Sequence, residues 1–264
     1  MAVIISNDNL KEGVGKTTLN LLLANFLHEK LKEKGKKIIL LEPDQFHDSI
    51  TRIREKELEL FLEMVEARYE DENGKDSFGM EQKDDAIGMF NNETFGVVSV
   101  QSDEMVSTID MIASECDVII IDSPAGSLAL EENKVYSLID YLFVVFNMGG
   151  SEEESTGDFI EIYNKKVRPI REEMGSDINV YGILNKFKTT GKDFMEFKQR
   201  MENGEITKKF PDIKFLKTEL PYSFQLKREP TTTRLNNIVN ILEPGDVIFN
   251  YCHEVYNIIY NKIS

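Results

Sequence analysis

The stretch Lys11-Glu12-Gly13-Val14-Gly15-Lys16-Thr17-Thr18 decides how this chain is read. It follows a short apolar run, Val3-Ile4-Ile5, and opens a long helical pattern over 16–34. A strand, a glycine turn and a helix in that order form the setting that a phosphate-binding loop needs. Glycines let backbone N–H groups turn toward an anion, and the helix N-terminus adds partial positive charge. In such a loop Lys16 neutralises the β and γ oxygens of a nucleotide, Thr17 offers its hydroxyl to Mg²⁺, and Thr18 reaches the α-phosphate.

Working outward, apolar runs recur at 37–41, 95–100, 118–121, 141–146, 180–184 and 213–216. They lack strict alternation, as expected of strands buried on both faces. Helical patterns fall between them at 50–70, 103–115, 152–174 and 192–202, with a last one at 246–262. Ser151 followed by Glu154 reads as a capping box opening the helix from 152. Strands alternating with crossover helices predict an α/β fold: a doubly wound, mostly parallel sheet with helices on both faces.

A chain of 264 residues with 41% apolar content can bury one sizeable core, and no repeat or linker divides it, so a single domain over 1–264 is expected. The polar, acidic stretch 71–92 reads as a mobile surface loop. Cys116 and Cys252, with His28, His47 and His253, share no metal-ligand spacing. No apolar run is long enough to span a bilayer, and 1–8 lack a signal-peptide pattern, so a cytoplasmic protein is expected. The formal charge of −16 is uneven. Residues 1–159 hold 33 acidic against 14 basic side chains, whereas 160–234 hold 16 basic against 11 acidic. That basic segment leaves contact with nucleic-acid phosphates open.

The common spacing Gly-x-x-x-x-Gly-Lys-Ser/Thr fails at Leu10. With Lys11 five residues before Lys16, the loop instead resembles the deviant Lys-Gly-Gly-x-Gly-Lys-Thr-Thr loop of the ParA/MinD family of ATPases. The resemblance extends over nearly the whole chain. It implies that Lys11 reaches across a dimer interface to the γ-phosphate, as an arginine finger does when supplied in trans. Asp44, after the strand 38–41, matches the aspartate that positions the attacking water. Asp122, closing Val118-Ile119-Ile120-Ile121, resembles the family's acid that holds Mg²⁺ through water. Asn185 with Lys186, and Pro221 in Leu220-Pro221-Tyr222-Ser223, resemble the adenine contacts. Glu12, in place of the first loop glycine, and Glu42-Pro43, in place of Asp-x, depart from the pattern.

The resemblance implies a P-loop ATPase that uses ATP and Mg²⁺, is slow and partner-stimulated, and is closest to the short plasmid-partition type. It would form a homodimer on ATP binding, answer to a centromere-binding ParB-like protein, and bind DNA nonspecifically through 186–234 as a nucleoid-associated protein without a membrane anchor. The alternative on the same sheet is a carboxylate-activating synthetase of the dethiobiotin-synthetase type, which would not need Lys11.

Overall fold

A computed structural model describes residues 2–43, 50–73, 78–123, 130–147, 150–177, 179–187, 191–221 and 246–263. Its strands are β1 (Val3–Asp8), β2 (Ile38–Pro43), β3 (Gly96–Val100), β4 (Val118–Ile121), β5 (Tyr141–Asn147), β6 (Asn179–Phe187) and β7 (Lys214–Pro221). They form a seven-stranded sheet in the order β3-β2-β4-β1-β5-β6-β7, with every pairing parallel.

The helices are α1 (Lys16–Leu31), α2 (Ile50–Asn73), α3 (Met80–Asn92), α4 (Met105–Ile112), α5 (Leu130–Leu138), α6 (Gly150–Ile162), α7 (Arg168–Glu173), α8 (Lys192–Glu202), α9 (Glu205–Lys209) and α10 (Val247–Ile263). Alternation along each strand sends side chains to two cores. Val3, Ile5, Val118, Ile120, Phe143 and Val145 pack beneath α1 and α10. Ile4, Ile119, Ile121, Leu142, Val144 and Phe146 pack against α4, α5, α6, α8 and α9. The α/β, doubly wound fold with helices on both faces is therefore the one observed. Burial on both sides explains why these strands read as continuous apolar runs.

Four local readings are corrected. Residues 80–92 are helix, not loop, and α2 runs on to Asn73. The polar surface of α3 hides two anchors one turn apart, Ala86 and Phe90. Phe90 meets Phe61 of α2 at 5.5 Å between ring centroids, and Gln82 Oε1 accepts the Gly79 N–H. Ser151 lies inside the first turn of α6, which begins at Gly150, so it is not the N-cap. The pattern over 152–174 is interrupted by a π-helical turn at Tyr163–Val167 just before Pro169. Proline has no N–H to continue the ladder, and the wider turn accommodates the gap. Lastly, β7 runs beyond the apolar stretch 213–216 to Pro221, which pairs with Phe187 as the closing residue of the strand. Within β6, a Cβ on Gly182 would stand 2.6 Å from the Phe215 ring, so glycine is what lets these two strands pack.

Candidate functional site

The carboxyl ends of β1 and β4 lie side by side, because β1 pairs with β4 from Val3 to Ile5. Ligands of open parallel sheets bind at such ends. β1 leads into the glycine turn, where Gly13 and Gly15 take φ of 70° and 102°. A side chain at either position would be strained by the left-handed backbone alone. Gly15 is the N-cap of α1, and its carbonyl accepts the Leu19 N–H at 3.0 Å. Val14 is buried as the hydrophobic anchor of the turn, while Glu12 and Thr17 face solvent and Lys11 is half-buried.

Lys16, Thr17 and Asp122 lie at the same end of the sheet, with Thr17 in direct contact with Asp122 and Lys16 near enough to act on its charge. Thr17 Oγ1 donates to Asp122 Oδ2 at 2.8 Å. Asp122 is buried, and burial pushes its carboxyl up to about 6, opposed by the hydrogen bonds from Asn20 and Thr17. A hydroxyl and a carboxylate oxygen meeting beside a helix N-terminus form a hard-oxygen pair that fits Mg²⁺ held together with nucleotide phosphates. Asn185 Nδ2 donates to the Val14 carbonyl at 2.7 Å, which ties the end of β6 to the turn. Asp44, Lys188, Lys227, Arg228, Tyr222 and Ser223 lie outside the described residues, as does the side chain of Lys186.

Several residues that complete the site were not singled out from sequence. Lys16 Nζ donates to the Asn9 carbonyl at 2.8 Å and lies 3.3 Å from Asp8 Oδ1. Asp8 also accepts the Tyr136 hydroxyl of α5 and the Asn9 N–H. Asn9 fixes the start of the turn, donating to the Val145 carbonyl and to Thr156 Oγ1, both at 2.8 Å, and accepting the Lys11 N–H at 3.0 Å. A buried chain of hydrogen bonds then crosses the core: Tyr251 Oη of α10 to Asn7 Oδ1 at 2.7 Å, Asn7 Nδ2 to Asn20 Oδ1 at 2.9 Å, and Asn20 Nδ2 to Asp122 Oδ1 at 2.8 Å. The available signal was polar residues where apolar ones belong: Ser6-Asn7-Asp8-Asn9 closing a buried strand, and Asn20 within a run of leucines.

Glu42, where the sequence departs from the family pattern, has a structural role. Its carboxylate accepts the Ile50 N–H at 2.8 Å, the Thr51 N–H at 2.7 Å and the Thr51 hydroxyl at 2.6 Å. It thereby caps α2 and joins the two ends of the segment that contains Asp44.

The basic segment is partly neutralised from within. Arg200 grips Glu153 through two nitrogens at 2.8 and 3.0 Å, and Lys209 Nζ is 2.8 Å from the same carboxylate. Hydrogen bonds from Arg200 and then Lys209 hold Glu153 below the usual carboxylate range. Lys198 pairs with Glu219 at 2.7 Å and Lys192 with Glu196 at 3.3 Å. The cationic surface expected across 186–234 is thus reduced at four of its members. No described helix is long and apolar enough to cross a membrane.

No protein-family model matches the chain, and no curated protein matches it in sequence. Solved structures do. A Borrelia burgdorferi protein provisionally assigned to plasmid partition, bound to AMPPNP, superposes with a TM-score of 0.58 at 17% identity, over 99% of this chain and 100% of that one. The ParA of pNOB8 bound to nonspecific DNA gives 0.56 at 16% identity, over 99% of each chain. MinD in the MinC:MinD cell division complex of Aquifex aeolicus gives 0.55 at 18%, over 97% and 96%. At these identities the likeness establishes the fold, that of the ParA/MinD ATPases.

Proposed function

We propose that this chain is a P-loop ATPase of the ParA/MinD kind, a switch that changes partners with its nucleotide state. The observation that carries the reading is the triad Lys16, Thr17 and Asp122, gathered at the ends of β1 and β4 behind a turn with two left-handed glycines. In this reading the N–H groups of Gly13, Val14, Gly15 and Lys16 cradle the phosphates, Lys16 Nζ turns to the β and γ oxygens, and Thr18 reaches the α-phosphate. Thr17 and Asp122 hold Mg²⁺, which supplies neutralising charge to the phosphates. Asp44 orients the attacking water, and positioning of this kind needs no shifted pKa. Asn185 and Lys186 at the end of β6, with Pro221 at the end of β7, line the adenine side.

The dimeric state is part of the proposal. Lys11, half-buried, has its backbone N–H bound by the Asn9 side chain at the start of the turn, and in this reading its ammonium meets the γ-phosphate of a second copy. Glu12 is exposed there and needs a cationic partner across the interface. DNA binding is proposed to be nonspecific and to need two copies, because Lys192, Lys198, Arg200 and Lys209 are occupied by carboxylates in one copy, so that a single copy of the segment 186–234 offers phosphates fewer cations than its composition implies. A ParB-like protein would stimulate hydrolysis, and retention on DNA would place the protein at the nucleoid.

Phosphate release from ATP, measured alone, with unrelated duplex DNA and with a panel of small carboxylic acids, tests the function. Slow turnover that is raised by DNA and indifferent to the acids is expected. Turnover that requires a carboxylic acid would replace the switch with a synthetase of the dethiobiotin-synthetase type.

A further inference from the structure

Lys16 is not waiting in the open for a phosphate: its side chain is only 7% exposed, and its ammonium rests between the Asn9 carbonyl and Asp8 Oδ1. Asp8 is itself fully enclosed at the end of β1. The groups that face it are Lys16 from α1, the Tyr136 hydroxyl from α5, the Asn9 N–H of its own strand end, Ser123 from the segment after β4, and the charge of Asp122 nearby. Tyr136 and Asn9 donate to this carboxyl and the Lys16 ammonium pairs with it at 3.3 Å, the environment of an anion. Burial raises the Asp8 carboxyl, and Lys16 and Tyr136 oppose that shift.

We propose that Asp8 competes with nucleotide phosphate for Lys16, that Tyr136 stabilises Asp8 once Lys16 has left, and that the pair thereby sets how tightly the loop takes a nucleotide. This rests on the phosphate-loop reading above. The ammonium must leave Asp8 to meet the β and γ oxygens, and breaking a buried ion pair strands the remaining charge. The Tyr136 and Asn9 donors remain with Asp8 after that move and offset part of the cost. Asp8 is therefore a positioning residue acting through Lys16, and Tyr136 acts through Asp8. Because Tyr136 sits on α5, the exchange at Lys16 is also felt in the helix that follows the Asp122 strand.

The two side chains should act with opposite signs. Asp8→Asn removes the competing charge and frees Lys16, whereas Tyr136→Phe removes a donor and leaves Asp8 leaning harder on Lys16. If both residues only supported the fold, both substitutions would weaken binding. The experiment is calorimetric titration of AMPPNP and ADP into the wild type, D8N, Y136F and the double variant. Expected are binding about tenfold tighter for D8N, several-fold weaker for Y136F, and a double variant that matches D8N, since Tyr136 has no anion left to act on. D8N binding no tighter than wild type overturns the proposal, as does a Tyr136→Phe effect that persists in the D8N background. If D8N does not fold, unchanged or tighter binding by Y136F still overturns the proposal. Failure of the wild type to bind either nucleotide would instead overturn the phosphate-loop reading, and this inference with it.

Discussion

Thr17 Oγ1 and Asp122 Oδ2 lie 2.8 Å apart although 105 residues separate them in the chain. The contact joins the first turn of α1 to the end of β4, so one hydrogen bond unites the two halves of the site. Both atoms are hard oxygen ligands, one on the first turn of α1 behind the glycine turn and the other just after β4, which pairs in parallel with β1. A pair already in contact needs little reorganisation when a ligand arrives.

Lys16→Ala removes the ammonium that would contact the β and γ oxygens, and charge-assisted hydrogen bonds of this kind are the strong ones. Calorimetry should find ATP affinity lowered by about a hundredfold or more. A folded variant that binds ATP as the wild type does would refute the loop assignment.

Asp122 gives a pH signature. Its carboxyl is pushed from 3.8 to about 6 by burial, so the ionised form opposes folding of the nucleotide-free protein. The stability associated with the proton is full below about pH 4 and is lost as pH rises through 6. Asp122→Asn keeps the geometry, since its oxygen can accept from Asn20 and its nitrogen can donate to Thr17. It should stabilise the nucleotide-free protein by up to about 3 kcal/mol at pH 8 and by less at pH 5. Thermal melts at the two pH values decide, and an equal gain at both contradicts the origin given for it.

Glu42→Ala withdraws acceptors from the Ile50 and Thr51 N–H groups at the start of α2. The loss should be about 1 to 2 kcal/mol in denaturant unfolding, as for other helix caps. Faster amide exchange confined to the first turn of α2 would accompany it. Unchanged exchange at Ile50 and Thr51 would show that the cap is dispensable.

Asp44→Ala should keep ATP affinity and lose turnover, because orientation of water is removed while the phosphate contacts stay. Steady-state hydrolysis at the wild-type rate would rule out that role.

How much of this was legible depends on whether a residue's neighbours are local in sequence. The glycine turn with Lys16 and Thr17 could be read because strand, turn and helix are consecutive, and Asp122 because an acid after four buried aliphatics stands out. Asp8, Tyr136 and Asn20 were harder to read, since the contacts that tie them across the site, Tyr136 to Asp8 over 128 positions and Asn20 to Asp122 over 102, leave no local pattern. Helix α3 was hidden for a different reason. Only Ala86 and Phe90 of its residues are buried, too few to set a period above the surrounding charge. Glu42 shows a third limit: matched against a family pattern it is only a departure, whereas its carboxylate is taken up by the N-terminus of a helix eight residues on.

The central claim is a nucleotide-dependent switch, and the solution mass of the 30.3 kDa chain tests it most directly. Light scattering at matched concentrations in ADP, and in a nonhydrolysable ATP analogue with Mg²⁺, should give one chain in the first condition and two in the second. Lys11→Ala should remain a single chain in both. A mass that is the same in ADP and in the analogue would contradict the switch and leave the phosphate loop serving some other chemistry.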